Sequence, residues 1–305
     1  MSWIICGSVP DADFPLSLGS WRLQQNRLLP DAGGLLPHGG TLPELSVQRG
    51  TPALLAATLQ VCRSLDLPRP LALLVGDTGS GQGSLALYAF LTSWLESTGD
   101  TVNGLTFHYL FPNVDGHNRI LMGLKARAGT SGMPALVADA GFMYAAKMSG
   151  YAGEYDLFTP DAGELAFLAD ENAPHPFYTR GFLLGSDLST LELVQRAHAH
   201  GNCARTLLIK GEVDSVAENG TLVATVESPN IPYMEPIGGT GDLVTGTVTG
   251  LLMAGQPMRR VCIVAAKTNR LAGALAHPTP ATQVGSLLPY LPEALRQTLE
   301  QTPPR

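Results

Sequence analysis

Several short segments of this chain are apolar at every position rather than alternating: residues 3–6, 70–75, 135–138 and 207–209. A strand without alternation has both faces covered, the condition of a parallel sheet packed between helices. Helical patterns separate these runs at residues 51–65, 84–96 and 118–128, with a further strand read over 105–111. Thr51-Pro52 opens the first helix, Thr51 read as N-cap and Pro52 as the first helical residue. Strands alternating with helices predict an α/β domain with a mostly parallel sheet, whose ligands gather at the carboxyl ends of the strands. Residues 1–50 are read as largely irregular and part of the acceptor side. Residues 10–50 are rich in Pro and Gly, with a hairpin or strand within 16–29.

Bulk properties narrow the function classes. A net charge of -7 with no basic cluster speaks against nucleic acid. No apolar run is long enough to span a bilayer. The first six residues lack the basic start of a secretory leader, and the four cysteines are scattered without metal-like spacing. Together these predict a cytoplasmic protein with reduced thiols. No histidine shows zinc spacing, and none is assigned to a metal. His175, in the Pro-rich aromatic stretch 173–180, is read as a cover over a pocket.

The segment richest in chemistry is Gly238-Gly239-Thr240-Gly241-Asp242, which runs directly into an apolar helix over 243–254. Glycines ahead of a helix let the backbone approach a ligand, and the free amides and positive end of the helix dipole favour an anion. Gly239, Thr240 and Gly241 are therefore read as a phosphate-binding anion hole. Asp242 is the candidate general base beside it; the alternative is an ordinary N-cap. A strand stopping at Pro160 leads through Asp161 and Glu164 into a helix over 165–169. Those two carboxylates suit a magnesium ion, although charge matching at a helix N-terminus is the more usual explanation for such a pair. A buried strand ends at Lys210-Gly211, and two short strands follow, joined by Asn219-Gly220.

A second glycine cluster spans residues 76–84. It has the strand–loop–helix context of a phosphate loop but carries Gln82 where lysine belongs. Gly79 and Gly81 are read as facing the substrate or forming a plain tight turn. A serine-hydrolase elbow is not present.

These pieces, in this order, resemble the ribokinase-like superfamily, and within it the ADP- or ATP-dependent NAD(P)H-hydrate dehydratases, a carbohydrate kinase-related family. The matching residues are Thr159-Pro160-Asp161-Ala162-Gly163-Glu164, Lys210-Gly211, Gly239-Thr240-Gly241-Asp242 and Val244-Thr245-Gly246. Ala138-Asp139-Ala140 and the late helix over 265–273 are similar too. The resemblance covers roughly residues 135–285. It departs at Asp161-Ala162, where the dehydratases usually carry His-Pro, and in the first half, which lacks the family's glycine-serine-tyrosine block.

The resemblance implies a three-layer α/β/α ribokinase-like fold with one domain over 1–305. ADP or ATP would be the nucleotide, with Mg2+ held by Glu164 and Asp161. Lys210 and Asn269 would bind the nucleotide, and Asp139 would face the substrate. Asp242 would deprotonate a hydroxyl of hydrated NADH or NADPH as that oxygen attacks the terminal phosphoryl group, and loss of phosphate would restore the ring. A small-molecule kinase acting on a sugar or vitamin precursor shares the first step. A nucleotide-binding relative without turnover is the third reading. Acceptor, choice of nucleotide and homo-oligomer formation stay open.

Overall fold

The computed structural model describes residues 2–303 except 38, 130–131 and 174–187. The stretch around His175 and the side chain of His38 lie outside the described residues. Six strands form the centre of one sheet: β1 (Ser2–Val9), β5 (Leu71–Gly76), β6 (Val102–His108), β7 (Ala135–Ala138), β8 (Leu157–Phe158) and β9 (Thr206–Ile209). Every neighbouring pair among them is parallel. Beyond β9, β10 (Asp214–Glu218) and β11 (Thr221–Val226) run antiparallel. Beyond β5 the same is true of β2 (Ser17–Gln24), β3 (Arg27–Pro30) and β4 (Leu45–Ser46). The full order is β11-β10-β9-β8-β7-β6-β1-β5-β2-β3-β4.

Residue parity splits the central strands between two cores, which is why they read as unbroken apolar runs. Trp3, Ile5, Ala72, Leu74, Val137 and Leu208 join one core. Helices α1 (Thr51–Ser64), α7 (Thr240–Met253), α8 (Met258–Ala276) and α9 (Leu291–Gln301) contribute to it. Ile4, Cys6, Leu73, Leu105, Phe107 and Leu136 join the other. There they meet α2 (Gln82–Ser97), α3 (Val114–Ala128), α4 (Phe142–Met148), α5 (Ala162–Ala169) and α6 (Thr190–Ala199). The result is three layers, helix on sheet on helix.

Three local expectations change. Residues 1–50, read as largely irregular, carry β1 to β4. The β2–β3 hairpin turns at Gln25-Asn26, with Gln25 at φ 55, and lacks the glycine that usually marks such a turn. The N-cap of α1 is Gly50 at φ 71, not Thr51. The Thr51 hydroxyl is drawn away to a histidine instead. The strand expected to reach Phe111 stops at His108, because Tyr109 turns to φ 49.

Helices α1 and α7 pack backbone to backbone. A Cβ on Gly246 would lie 2.2 Å from the Leu54 carbonyl oxygen, and one on Gly250 would lie 2.6 Å from Val61 Cβ. These two glycines, one turn apart on α7, let the helices approach far closer than side chains would allow.

Candidate active site

The carboxyl ends of the parallel strands and the N-termini of α1 and α7 meet at one place. Gly239, at φ 101, is the N-cap of α7 and starts the helix at Thr240. The turn is open to solvent: Gly238 is exposed, and Gly239, Thr240 and Gly241 are half-buried. Among the described residues, no protein acceptor takes the amide hydrogens of Gly238, Gly239, Gly241 or Asp242. Four unspent donors at the positive end of a 14-residue helix form a ready anion site. These are the residues read from sequence as an anion hole, and their amides are left without a protein acceptor among the described residues.

Asp242 is not the cap of its own helix. Its side chain crosses to the neighbouring elements, where Oδ2 accepts the Gly50 amide at 2.5 Å and Oδ1 lies 3.0 Å from His108 Nε2. Burial pushes this carboxyl up. The His108 hydrogen bond, the Lys210 ammonium and the Gly50 amide outweigh burial and hold it below the usual aspartate value. It is therefore ionised at neutral pH, as a proton acceptor must be.

His108 was not singled out in the sequence, and it is fully buried at the end of β6. Its other ring nitrogen lies 3.0 Å from Thr51 Oγ1 at the start of α1. One signal marked it: a polar residue closing an apolar strand, at the end where α/β sites collect.

Asp139 and Lys210, expected on the substrate and nucleotide sides, pair with each other. Lys210 Nζ lies 2.9 and 3.0 Å from the two Asp139 oxygens. Thr245 Oγ1 donates to Asp139 Oδ2 at 2.5 Å, and the Ala140 amide binds Oδ1. Asp139 is almost wholly buried, so these partners, not a ligand, compensate its charge. Burial pushes the Lys210 ammonium down, but Asp139, Glu164 and Asp242 outweigh it and hold the group above the ordinary lysine range. The lysine stem runs beside Gly241, whose added Cβ would stand 3.4 Å from Lys210 Cδ.

A cavity of about 290 Å3 opens beside this cluster, lined among others by Ser8, Asp77, Gly79, Tyr109, Phe111 and Tyr144. The glycine loop over 76–84 thus borders a pocket through Gly79, but it is not a phosphate loop. Its donors already hold an internal anion: Asp77 accepts the amides of Gly79, Gly81 and Ser84 and the Ser84 hydroxyl at 2.8–3.1 Å. Burial pushes Asp77 up, and these four donors bring it below the usual aspartate value. Gly81, at φ 80, packs under the Phe111 ring rather than facing the cavity. Tyr109 and Phe111 keep 40% and 48% of their surface exposed, so the mouth is aromatic.

Asp161 and Glu164 form a reciprocal capping box at the start of α5, each carboxylate accepting the other's backbone amide. Glu164 Oε1 also accepts the Tyr144 hydroxyl at 2.8 Å. Burial lifts the Glu164 carboxyl to about 7; Lys210 opposes the rise, and Asp139 and Asp161 add to it. Three of their four oxygens serve the helix end and Tyr144, which leaves Asp161 Oδ2 without a protein partner among the described residues; magnesium held by both residues stays an expectation. His108, Asp139 and Asp242 bring ligand atoms within 4.8 Å of one another, but Lys210, Thr245 and Gly50 already occupy the two carboxylates. Asn269 is buried on α8, and its Oδ1 has no partner among the described residues.

The sequence pattern of the NAD(P)H-hydrate dehydratase family matches residues 124–296, more than half of the chain and including Asp139, Lys210 and Asp242. This chain belongs to that family. A relative in Methanocaldococcus jannaschii, an uncharacterized protein, is 33% identical over 248 residues, covering 81% of this chain and 100% of that one. The ADP-dependent (S)-NAD(P)H-hydrate dehydratase of Cenarchaeum symbiosum is 31% identical over 140 residues, 45% of this chain and 43% of that one. Among solved structures, the pyridoxal kinase of Lactobacillus plantarum superposes with a TM-score of 0.55 at 16% identity, covering 99% of this chain and 100% of that one. That likeness establishes for this family member the three-layer ribokinase-like fold expected from its motifs.

Proposed function

We propose that this dehydratase-family chain uses ADP or ATP to phosphorylate the ring hydroxyl of hydrated NADH or NADPH, and that loss of phosphate restores the reduced nicotinamide. One observation carries the reading. An ionised, doubly hydrogen-bonded carboxylate on Asp242 stands beside four unspent backbone amides, inside the segment matched to the family. The amides of the 238–242 turn take the oxygens of the terminal phosphoryl group and stabilise its charge as it transfers. Asp242 takes the hydroxyl proton as the ring oxygen bonds to phosphorus and the bridging P–O bond breaks toward the nucleotide. The phosphorylated carbon then loses phosphate by C–O cleavage, and a proton leaves the neighbouring ring carbon as the double bond returns.

The cavity bordered by Tyr109, Phe111 and Tyr144 is the acceptor side, because Tyr109 also meets the ring of Asp242's partner His108 and the aromatic faces suit a ring. The kinase reading rests on fold likeness alone. Four free, buried cysteines fit a reducing compartment and support a cytoplasmic setting. Among the described residues no helix is long and apolar enough to cross a membrane.

The test is recovery of reduced-nicotinamide absorbance from the hydrate with ADP or with ATP. Wild-type protein should restore it with at least one nucleotide, and Asp242→Asn should lower the rate by about 100- to 10,000-fold. No recovery with either nucleotide, at a protein concentration where calorimetry shows binding, overturns the reading.

A further inference from the structure

Among the buried titratable side chains that the mechanism above leaves without a task is His108. His108 has no exposed surface and is not among the residues that line the cavity. It nevertheless joins three elements: Thr51 from α1 at 3.0 Å on Nδ1, Asp242 from α7 at 3.0 Å on Nε2, and its own strand β6. Room for this arrangement is built in. A Cβ on Gly7 of β1 would lie 2.5 Å from Thr51 Oγ1 and 2.7 Å from the His108 carbonyl oxygen. Only glycine lets the threonine hydroxyl reach the ring.

We infer that His108 is a positioning residue for Asp242, and that Thr51 fixes the ring tautomer which makes it one. The inference rests on Asp242 being the base. The Asp242 carboxylate only accepts, so the ring proton stands on Nε2, directed at Oδ1, and the Thr51 hydroxyl is then the donor to Nδ1 of the neutral ring. With Gly50 donating to Oδ2, two fixed donors hold the carboxylate in one orientation. A small displacement of a reacting group is enough to cost about 100-fold in rate. In the transfer step the acceptor's proton goes to the Asp242 carboxylate, and neither His108 nor Thr51 changes its proton count. The charged and titratable groups facing the ring are Asp242, Asp139 with Oδ2 at 3.8 Å, and Tyr109, whose ring meets the imidazole edge-on at 4.3 Å. Lys210 stands behind Asp139.

The test uses the full chain and two readouts. The first is a 13C NMR titration of the Asp242 carboxyl without substrate, its resonance assigned by loss in Asp242→Asn. The second is the pH profile of kcat/KM with the hydrate and nucleotide. In His108→Ala the Asp242 midpoint should rise, the acid limb of kcat/KM should move up with it, and kcat should fall about 100-fold while nucleotide Kd stays within twofold. His108→Gln, which keeps an N–H donor at similar reach, should recover part of both effects. Thr51→Val should shift them in the same direction by less. An unmoved Asp242 midpoint in folded His108→Ala overturns the inference; if that variant does not fold, an unmoved midpoint in Thr51→Val does so. A wild-type protein inactive on the hydrate overturns the proposed function instead, and the NMR titration still decides the His108–Asp242 relationship.

Discussion

The Gly50 amide donates to Asp242 Oδ2 across 192 positions of sequence. That bond ties the N-terminus of α1 to the first turn of α7, so the positive ends of two helix dipoles face one carboxylate. The close approach at Gly246 and Gly250 brings the two ends together, and the Gly50 amide thereby adds to the groups that keep Asp242 ionised.

Gly246→Ala should therefore disturb the site from a distance. The new methyl would stand 2.2 Å from the Leu54 carbonyl oxygen and 2.8 Å from Ala57 Cβ, and both belong to α1. Overpacking of this kind destabilises by about 1–3 kcal/mol, read as a lower urea midpoint. Gly123→Ala, on α3 with nothing within 4 Å of the new methyl, should shift the midpoint up instead.

Lys210→Met should strand the buried Asp139 carboxylate. Removing one partner of a buried pair costs about 3–5 kcal/mol. Lys210→Met combined with Asp139→Asn should cost distinctly less than the two single changes summed, because the neutral pair leaves no uncompensated charge. A double-mutant cycle by chemical denaturation checks this, and additive losses would contradict the pairing.

Asp77→Ala should open the wall of the cavity without touching Asp242. Three amides and one hydroxyl lose their acceptor at once. Each buried donor left unmade costs about 1–3 kcal/mol. The expected kinetic signature is a KM for the acceptor raised several-fold more than kcat is lowered. A change in kcat alone would place the loop elsewhere in the mechanism.

Glu164 gives the protein a pH dependence of definite sign. Its folded value of about 7 stands above the ordinary 4.5. The stability associated with its protonated form is thus fully present below about 4.5 and is lost as pH rises through 7. Glu164→Gln keeps the capping geometry, since glutamine serves at that position, and should remove this component. Thermal midpoints of the two proteins should converge at pH 5 and separate by pH 8, with the variant higher. Asp242 acts in the opposite window: held below 3.8, it contributes stability that is lost only as pH falls through its depressed value.

Local pattern and local chemistry were enough for much of this molecule. Unbroken apolar strands determined a sheet covered on both faces, because only a two-sided core removes every position from water. Gly239-Thr240-Gly241-Asp242 announced a helix start with unpaired amides, because a left-handed glycine and free first-turn donors are properties of the turn itself. The tertiary structure alone decided the rest. It turned Asp161 and Glu164 into a capping box, gave the amides of residues 79, 81 and 84 to Asp77, and paired Asp139 with Lys210. It also placed Thr51, His108 and Gly50 around Asp242. Those partners are set by which strand and helix ends meet in space, and residues 57 to 192 positions apart carry no mark in sequence of the contact they will make.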